Sequence, residues 1–520
     1  MRGKPVGASV VLSLILGFSP TASADAEVDC EHLGALAVAA EQPRRSFLFR
    51  TYETRRLVAL TLAECAYRKE ADPALAAAIG DRRFVRLSAA EQRRTLSAAA
   101  MNAWRLDRDA HALELFRRAI AVDPGDPDDW YRRSLLERLQ GDPAAAAESL
   151  IHLIEHWPEL LDNLDDGHIF ALIYKLKPRS PIRLSLLQAL LDANWQRKGQ
   201  GASAAWYELA VIRVDRGEID AARAAIRRVS APIELVKLRA DKRFDAIVDR
   251  DAVAFNVENA AQRETELYRS LAAARPDSLD LQVQLGSALL TQGRSEEALL
   301  QSNRVIAGIA EAPKDRPAYA DLGAEVWVMN SRAIALRRLG RYDEALLELQ
   351  RASRLNEDGV ANVSQALNLG DYYASLGRAD EALAAAARAG NDISGYGRMV
   401  QTLVQLRAAV QKRDATAAER ALTYLRAHRT DSETLLLSGL IYGERMDEAE
   451  QLLLELLASA SEREEVLRWL QDFREAEPLP GDRVWRARKA ELIARRSVQE
   501  AVNKVGRIER YAIFGANEMN

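Results

Sequence analysis

Residues 326–359 read VWVMNSRAIALRRLGRYDEALLELQRASRLNEDG, and residues 360–396 read VANVSQALNLGDYYASLGRADEALAAAARAGNDISGY. Each line spells one helical hairpin, and the two share an internal spacing. Ala333, Gly340, Tyr342, Ala345, Leu349 and Ala352 return as Gly370, Gly377, Ala379, Ala382, Ala386 and Ala389, 37 residues on. Small residues at these points let the two helices of a hairpin approach closely, and the larger apolar residues fill the space between hairpins.

Outward from this pair the spacing recurs. Residues 93–160 hold two units in tandem. The first carries Ala100, Ala112, Phe116, Ala119 and Pro124, and the second Trp130, Ser134, Gly141, Ala146, Leu150, Leu153 and Pro158. Asp107 stands in the first unit at the turn where glycine is preferred. Residues 203–312 give repeat-like units, clearest at 203–236 (Trp206, Ala210, Gly217, Ala222, Ile226, Val229) and 279–312 (Gly286, Gly293, Ala298). The pattern resembles the tetratricopeptide repeat family, whose period is about 34 residues. The resemblance implies an all-α, right-handed superhelical solenoid of helix-turn-helix repeats with atypical capping helices, and no strand is expected. Such a fold binds protein or peptide partners and performs no catalysis of its own.

Between and around the units the pattern weakens. Residues 25–92 read as an N-terminal helical cap, 161–202 as an irregular helical insert and 313–325 as a linker. Residues 397–463 hold degenerate units, marked by Ala418, Leu422, Leu425, Leu437, Ala449, Leu453 and Leu456. Residues 464–520 read as a C-terminal cap and tail. There Pro478-Leu479-Pro480-Gly481 punctuates the chain before a single helix from about Arg483 to Val505, and Tyr511–Asn520 is a frayed or docking tail.

Composition fits a repeat protein. Within 520 residues, aromatic residues make up 6% while Ala, Leu, Arg and Glu dominate, which suits many short helices. Arg2 and Lys4 precede the apolar run Val10–Leu16, and a small-residue site ends at Ala24. Residues 1–24 therefore read as a cleaved export signal, placing the mature chain in the periplasm, or outside the cell as the alternative. Losing two basic residues and no acidic one leaves 70 basic against 76 acidic residues. A mildly acidic chain is not a general nucleic-acid binder. No later run is long and apolar enough to span a membrane. Cys30 and Cys65 are the two cysteines. In an oxidising compartment they form a disulfide or else remain two buried thiols.

Two stretches could carry more specific chemistry. His152-Leu153-Ile154-Glu155-His156 matches HxxEH, a spacing that sets two imidazoles one turn apart with Glu155 as base, as in zinc hydrolases. Asp162, Asp165, Asp166 and His168 follow closely. Leu150 and Leu153 take core positions of that helix, so the competing reading is a solvated face, and no cofactor is expected. The basic helix beyond Arg483 either rests on anionic lipid or shields the last repeat with its long side chains. No phosphate-binding glycine loop, GxSxG or paired CxxC occurs.

The resemblance further implies a concave face lined by the first helix of each hairpin. Its candidates for partner contact are Asn330, Arg337, Asn368 and Tyr372, with Arg332 beside them. A chaperone-binding subgroup of the family clamps a carboxylate with lysines, arginines and asparagines on three consecutive repeats. Asn368 is present here without the accompanying lysines, so that activity does not carry over. The expected role is a non-enzymatic scaffold or assembly factor of the bacterial envelope. The alternative is a periplasmic partner of an outer-membrane export or adsorption complex. Some exopolysaccharide exporters and phage-adsorption proteins resemble this chain and join such repeats to a barrel, which here would be separately encoded.

Overall fold

The computed structural model describes residues 51–197, 199–313, 315–356 and 362–516. They fall into two compact units, one ending at Trp195 and one beginning at Gln196. The first 50 residues, with the expected export signal and Cys30, lie outside the described residues.

The first unit contains α1 (Tyr52–Glu64), α2 (Arg68–Gly80), α3 (Ala89–Arg105), α4 (Asp109–Val122), α5 (Pro127–Leu139), α6 (Pro143–His156), α7 (Asp166–Lys175) and α8 (Pro181–Asp192). The starts are written in the sequence. Ser88 and Glu91 form a reciprocal capping box on α3, and Asp126 and Asp142 cap α5 and α6 ahead of prolines at the first helical position. Ala100, Ala112, Phe116 and Ala119 are fully buried in one apolar cluster with Leu96 and Leu136. Between α3 and α4 Asp107 adopts φ 58°, the left-handed conformation that Gly141 supplies between α5 and α6. The helical insert expected after α6 forms α7 and α8.

The second unit runs through α9 (Ser203–Asp215), α10 (Ile219–Ile226), α11 (Pro232–Ala240), α12 (Val257–Ala274), α13 (Leu279–Thr291) and α14 (Ser295–Glu311). The central pair follows as α15 (Glu325–Arg338), α16 (Tyr342–Ala352), α17 (Val363–Ser375) and α18 (Ala379–Ala387). Then come α19 (Gly395–Gln411), α20 (Ala415–Ala427), α21 (Glu433–Tyr442), α22 (Met446–Ala458), α23 (Arg463–Trp469), α24 (Arg483–Ala494) and α25 (Arg496–Val505). Ala333, Ala345, Leu349, Ala382 and Ala386 are fully buried in one cluster spanning α12 to α19. A Cβ at Gly370 would stand 3.2 Å from the Ala382 carbonyl oxygen, so glycine there sets how closely α17 meets α18. The fold is an all-α solenoid of helical hairpins.

The C-terminal region departs from expectation in three ways. The helix expected from Arg483 to Val505 breaks at Arg495, whose extended backbone (φ −59°, ψ 135°) separates α24 from α25. A two-residue parallel pair, β1 (Asp472–Phe473) with β2 (Arg510–Tyr511), forms where no strand was expected. The tail is packed as far as Ala516: Tyr511, Ile513 and Phe514 are buried. Backbone bonds from Arg507 N to Ala240 O (2.9 Å) and from Phe514 N to Thr291 O (2.9 Å) tie it to earlier helices of its unit. Apolar side chains of the tail found enough surface on those helices to offset the ordering of a short segment.

Two basic side chains of the last helices turn inward. Arg488 donates to the carbonyl oxygens of Ile441 and Tyr442, and Arg495 pairs with Glu450 at 2.5 Å. They bind the ends of α21 and α22, while Arg483, Arg496 and Lys504 are exposed.

Candidate functional site

On α15 and α17 the four concave-face candidates sit on neighbouring turns, and the structure brings them together. The Asn368 side-chain amide donates to the Asn330 side-chain oxygen at 3.1 Å, joining the two hairpins through a polar pair. Arg332 spans from Glu348 (2.6 Å) to Asn303 (2.7 Å), holding α15 against α16 and α14.

Arg337 and Tyr372 do not face a partner. Arg337 is 1% exposed and Tyr372 fully buried. The Tyr372 hydroxyl donates to the Tyr342 carbonyl oxygen at 3.1 Å, and burial raises its pKa. Arg337 Nη2 donates to the carbonyl oxygen of Glu477 at 2.6 Å. The chain's own segment 474–482, a strap, lies over Arg337, and Tyr372 is buried within its hairpin pair, which corrects their reading as contact residues for an external partner.

That segment is held along its length. Leu479 enters the apolar cluster of the central repeats. Gly481 N donates to Ser375 O at 2.8 Å, and a Cβ on Gly481 would overlap the Ala374 carbonyl oxygen, so the strap fits only because residue 481 has no side chain. Asp482 accepts from Ser375 Oγ (3.0 Å) and from Arg407 Nη2 (2.6 Å), while Arg407 also pairs with Asp371. Burial raises the Asp482 pKa although Arg407 opposes it. A buried ion pair of this kind is costly to break from one side, because the remaining charge is stranded.

Sequence reading missed Ser375, Arg407 and Asp482. The one signal was Pro478-Leu479-Pro480-Gly481, an extended, helix-free run with an apolar residue at its centre, which reads as punctuation but serves as an intramolecular ligand. Beside the strap lies a cavity of about 300 Å³ bounded by residues of α15, α19, α21, α23, α24 and the tail.

In the first unit the HxxEH residues lie on α6. The rings of Trp130, His152 and His156 stack in a column with centroids 3.9 Å apart at each step, and the two imidazole planes differ by 25°. Zinc sits about 2.0–2.1 Å from each nitrogen in the plane of its ring, and two nearly parallel planes do not meet at such a point. His156 Nδ1 is bonded to the His152 carbonyl oxygen at 2.8 Å. Burial and the neighbouring His156 lower the pKa of His152. His168 is fully buried elsewhere, with Arg138 Nε donating to its Nδ1 (2.9 Å) and Ser134 Oγ at 2.8 Å from its Nε2. Asp165 caps α7. Among the described residues no three His, Cys, Asp or Glu side chains converge as a metal site.

Cys65 caps α1, and its expected partner Cys30 lies outside the described residues. No helix among the described residues is long and apolar enough to cross a membrane.

Stacked helical hairpins with small residues at their crossings define a helical-repeat protein. Residues 330–395 match the family described as tetratricopeptide repeat, and the central hairpins are tetratricopeptide repeats. No curated protein matches the chain. Solved structures similar to it include an APC/C hetero-tetramer, Cut9–Hcn1, at 12% identity, 91% of this chain, 84% of that chain and a TM-score of 0.35. Yeast Tom70 gives 11% identity, 87% and 99% coverage and a TM-score of 0.31. A human IFIT1 dimer with PPP-AAAA gives 14%, 90%, 95% and 0.30. At these identities and scores no role passes from them to this chain.

Proposed function

We propose that this chain is a non-enzymatic scaffold or assembly factor of a bacterial cell envelope, exported by residues 1–24 and holding a protein partner on its repeats. The observation that carries the reading is the tetratricopeptide match at 330–395, a fold that presents ordered side chains so that binding costs little further ordering. The export pattern around Val10–Ala24 supports the compartment. Because Arg337 is occupied by the strap and Tyr372 is fully buried, the partner contact is assigned to exposed surface elsewhere. Tyr174 on α7 is 79% exposed and Tyr396 on α19 is 59% exposed, each an aromatic anchor of the kind that concentrates binding energy.

In-cell crosslinking of the tagged protein, followed by mass spectrometry, tests this. One dominant envelope protein is expected, with capture reduced at least tenfold by Tyr174→Ala or Tyr396→Ala according to the unit that carries the contact. Capture of a broad set of unfolded exported chains, or of nothing, would refute it.

A further inference from the structure

A groove of about 530 Å³ runs along α19, bounded by Leu383 of α18 and Tyr424 of α20. Thr402, Ala409 and Ala421 are its buried, small floor. The Tyr424 ring is held by stacking on His428, with centroids 3.9 Å apart and planes within 15°. On α19 the lining recurs at Arg398, Thr402, Gln405 and Ala409, and just past its end at Lys412, which is one stripe of a helix. Arg407 meets Asp482 of the strap, and Arg407 lies two positions from Gln405 and from Ala409, so about 200° around the helix from both. The groove therefore occupies the face of α19 turned away from the strap.

Its charge is one-sided. Arg398, Lys412 and Arg420 line it against a single carboxylate, Asp414, which is engaged as the cap of α20 through Ala417 N at 2.9 Å. Lys412 pairs with Asp380 at the rim, where both groups are exposed and water competes for the pair. Arg398 is oriented by neutral partners, Gln401 Oε1 at 2.6 Å and the Asn391 carbonyl oxygen at 2.7 Å. Arg420 is exposed and makes no hydrogen bond or ion pair among the described residues. Arg398 and Lys412 mark the two ends of the stripe, about 21 Å apart along the helix.

We propose that this groove docks an acidic, elongated segment of a protein partner, with carboxylates on Arg398, Arg420 and Lys412 and small apolar side chains on the floor of Thr402, Ala409 and Ala421. Cations at both ends of a long groove fit a chain and not a compact anion, and guanidinium groups with no carboxylate of their own bind one in a charge-assisted pair. The inference rests on the scaffold reading for there being a protein partner, and adds that partner's chemistry and the face that holds it.

Fluorescence anisotropy tests it, with a labelled ten-residue peptide of alternating Glu and Ala titrated with the full chain at low ionic strength. Saturable binding is expected, weakened at least tenfold in Arg420→Glu and in Lys412→Glu. It should be unchanged in Arg496→Glu, at an exposed arginine outside the groove. The same peptide with Lys in place of Glu is expected not to bind. Arg420 has no partner to lose, so the thermal midpoint of Arg420→Glu should match the wild type, which separates lost docking from lost fold. No saturable binding of the acidic peptide, or equal losses in Arg420→Glu and Arg496→Glu, would overturn the proposal. So would binding of phosphatidylglycerol vesicles but not of peptide, which would make the groove a lipid contact. In the crosslinking experiment, a partner lost from Arg420→Glu supports the groove, and a partner captured in full by that variant overturns it while leaving the scaffold. Peptide binding with no partner captured by the wild type would support the groove and remove the scaffold reading.

Discussion

His168 shows what one residue can do to the first unit. Burial, reinforced by Arg138, pushes its pKa down to about 4 from an ordinary value of 6.5. Arg138 donates to Nδ1, so Nε2 carries the proton toward Ser134, whose hydroxyl in turn donates to Ala146 O at 2.7 Å. The ring is therefore neutral in the fold and takes up a proton on unfolding whenever the pH lies between 4 and 6.5. Its stabilisation is complete above pH 6.5 and is lost as the pH falls toward 4, by about 3 kcal/mol. Urea denaturation at pH 7 and pH 5 reads this directly. The wild-type midpoint is expected to fall, and His168→Gln, which stays neutral, is expected to lose most of that pH dependence. Equal pH dependence in the two proteins would assign it to other groups.

At the scale of elements, the hairpins were legible because their determinants are local. Capping residues, small residues at crossings and a left-handed turn residue such as Gly377 (φ 80°) act within one repeat length. The strap was not legible because its contacts are distant in sequence: Asp482 meets Arg407 75 residues away and Ser375 107 residues away. Periodicity marks which face of α15 and α17 is special without saying what covers it. Hence the pattern points to Arg337 and Tyr372 on α15 and α17 without showing that both are buried within the chain. Removing one side of the buried pair tests the element. Asp482→Ala removes one of the two carboxylates paired with buried Arg407, leaving Asp371, and is expected to cost about 3 kcal/mol. Asp482→Asn keeps the hydrogen bond from Ser375 and should cost less. A thermal scan in which both variants match the wild type would mean that the strap does not support the repeats.

At the scale of the whole molecule, the reading predicts a definite mature product. Export should remove residues 1–24 and leave Asp25 as the first residue, with Cys30 and Cys65 joined. Intact-mass analysis of protein recovered from the periplasm is expected to show that start and a mass two hydrogens below the reduced form. A bridge closing a loop of this length stabilises by about 3–4 kcal/mol, so a reducing agent should lower the unfolding midpoint of the first unit. An unprocessed chain found in the cytoplasm would remove the basis for an envelope role. The solenoid itself rests on the repeats and would survive that result.

The strap packs on Arg337 and on the C-terminal end of α17, and the proposed partner contact lies on other surfaces. Hydrogen exchange resolved at the Gly481 amide measures this most directly, because that amide is bonded to Ser375 O at 2.8 Å. The expected result is an amide protected to the same degree as those of α17, with protection lost in Gly481→Val while the hairpins stay folded. Exchange at the rate of a free peptide in the wild type would contradict it, and would return Arg337 to the open face of the groove.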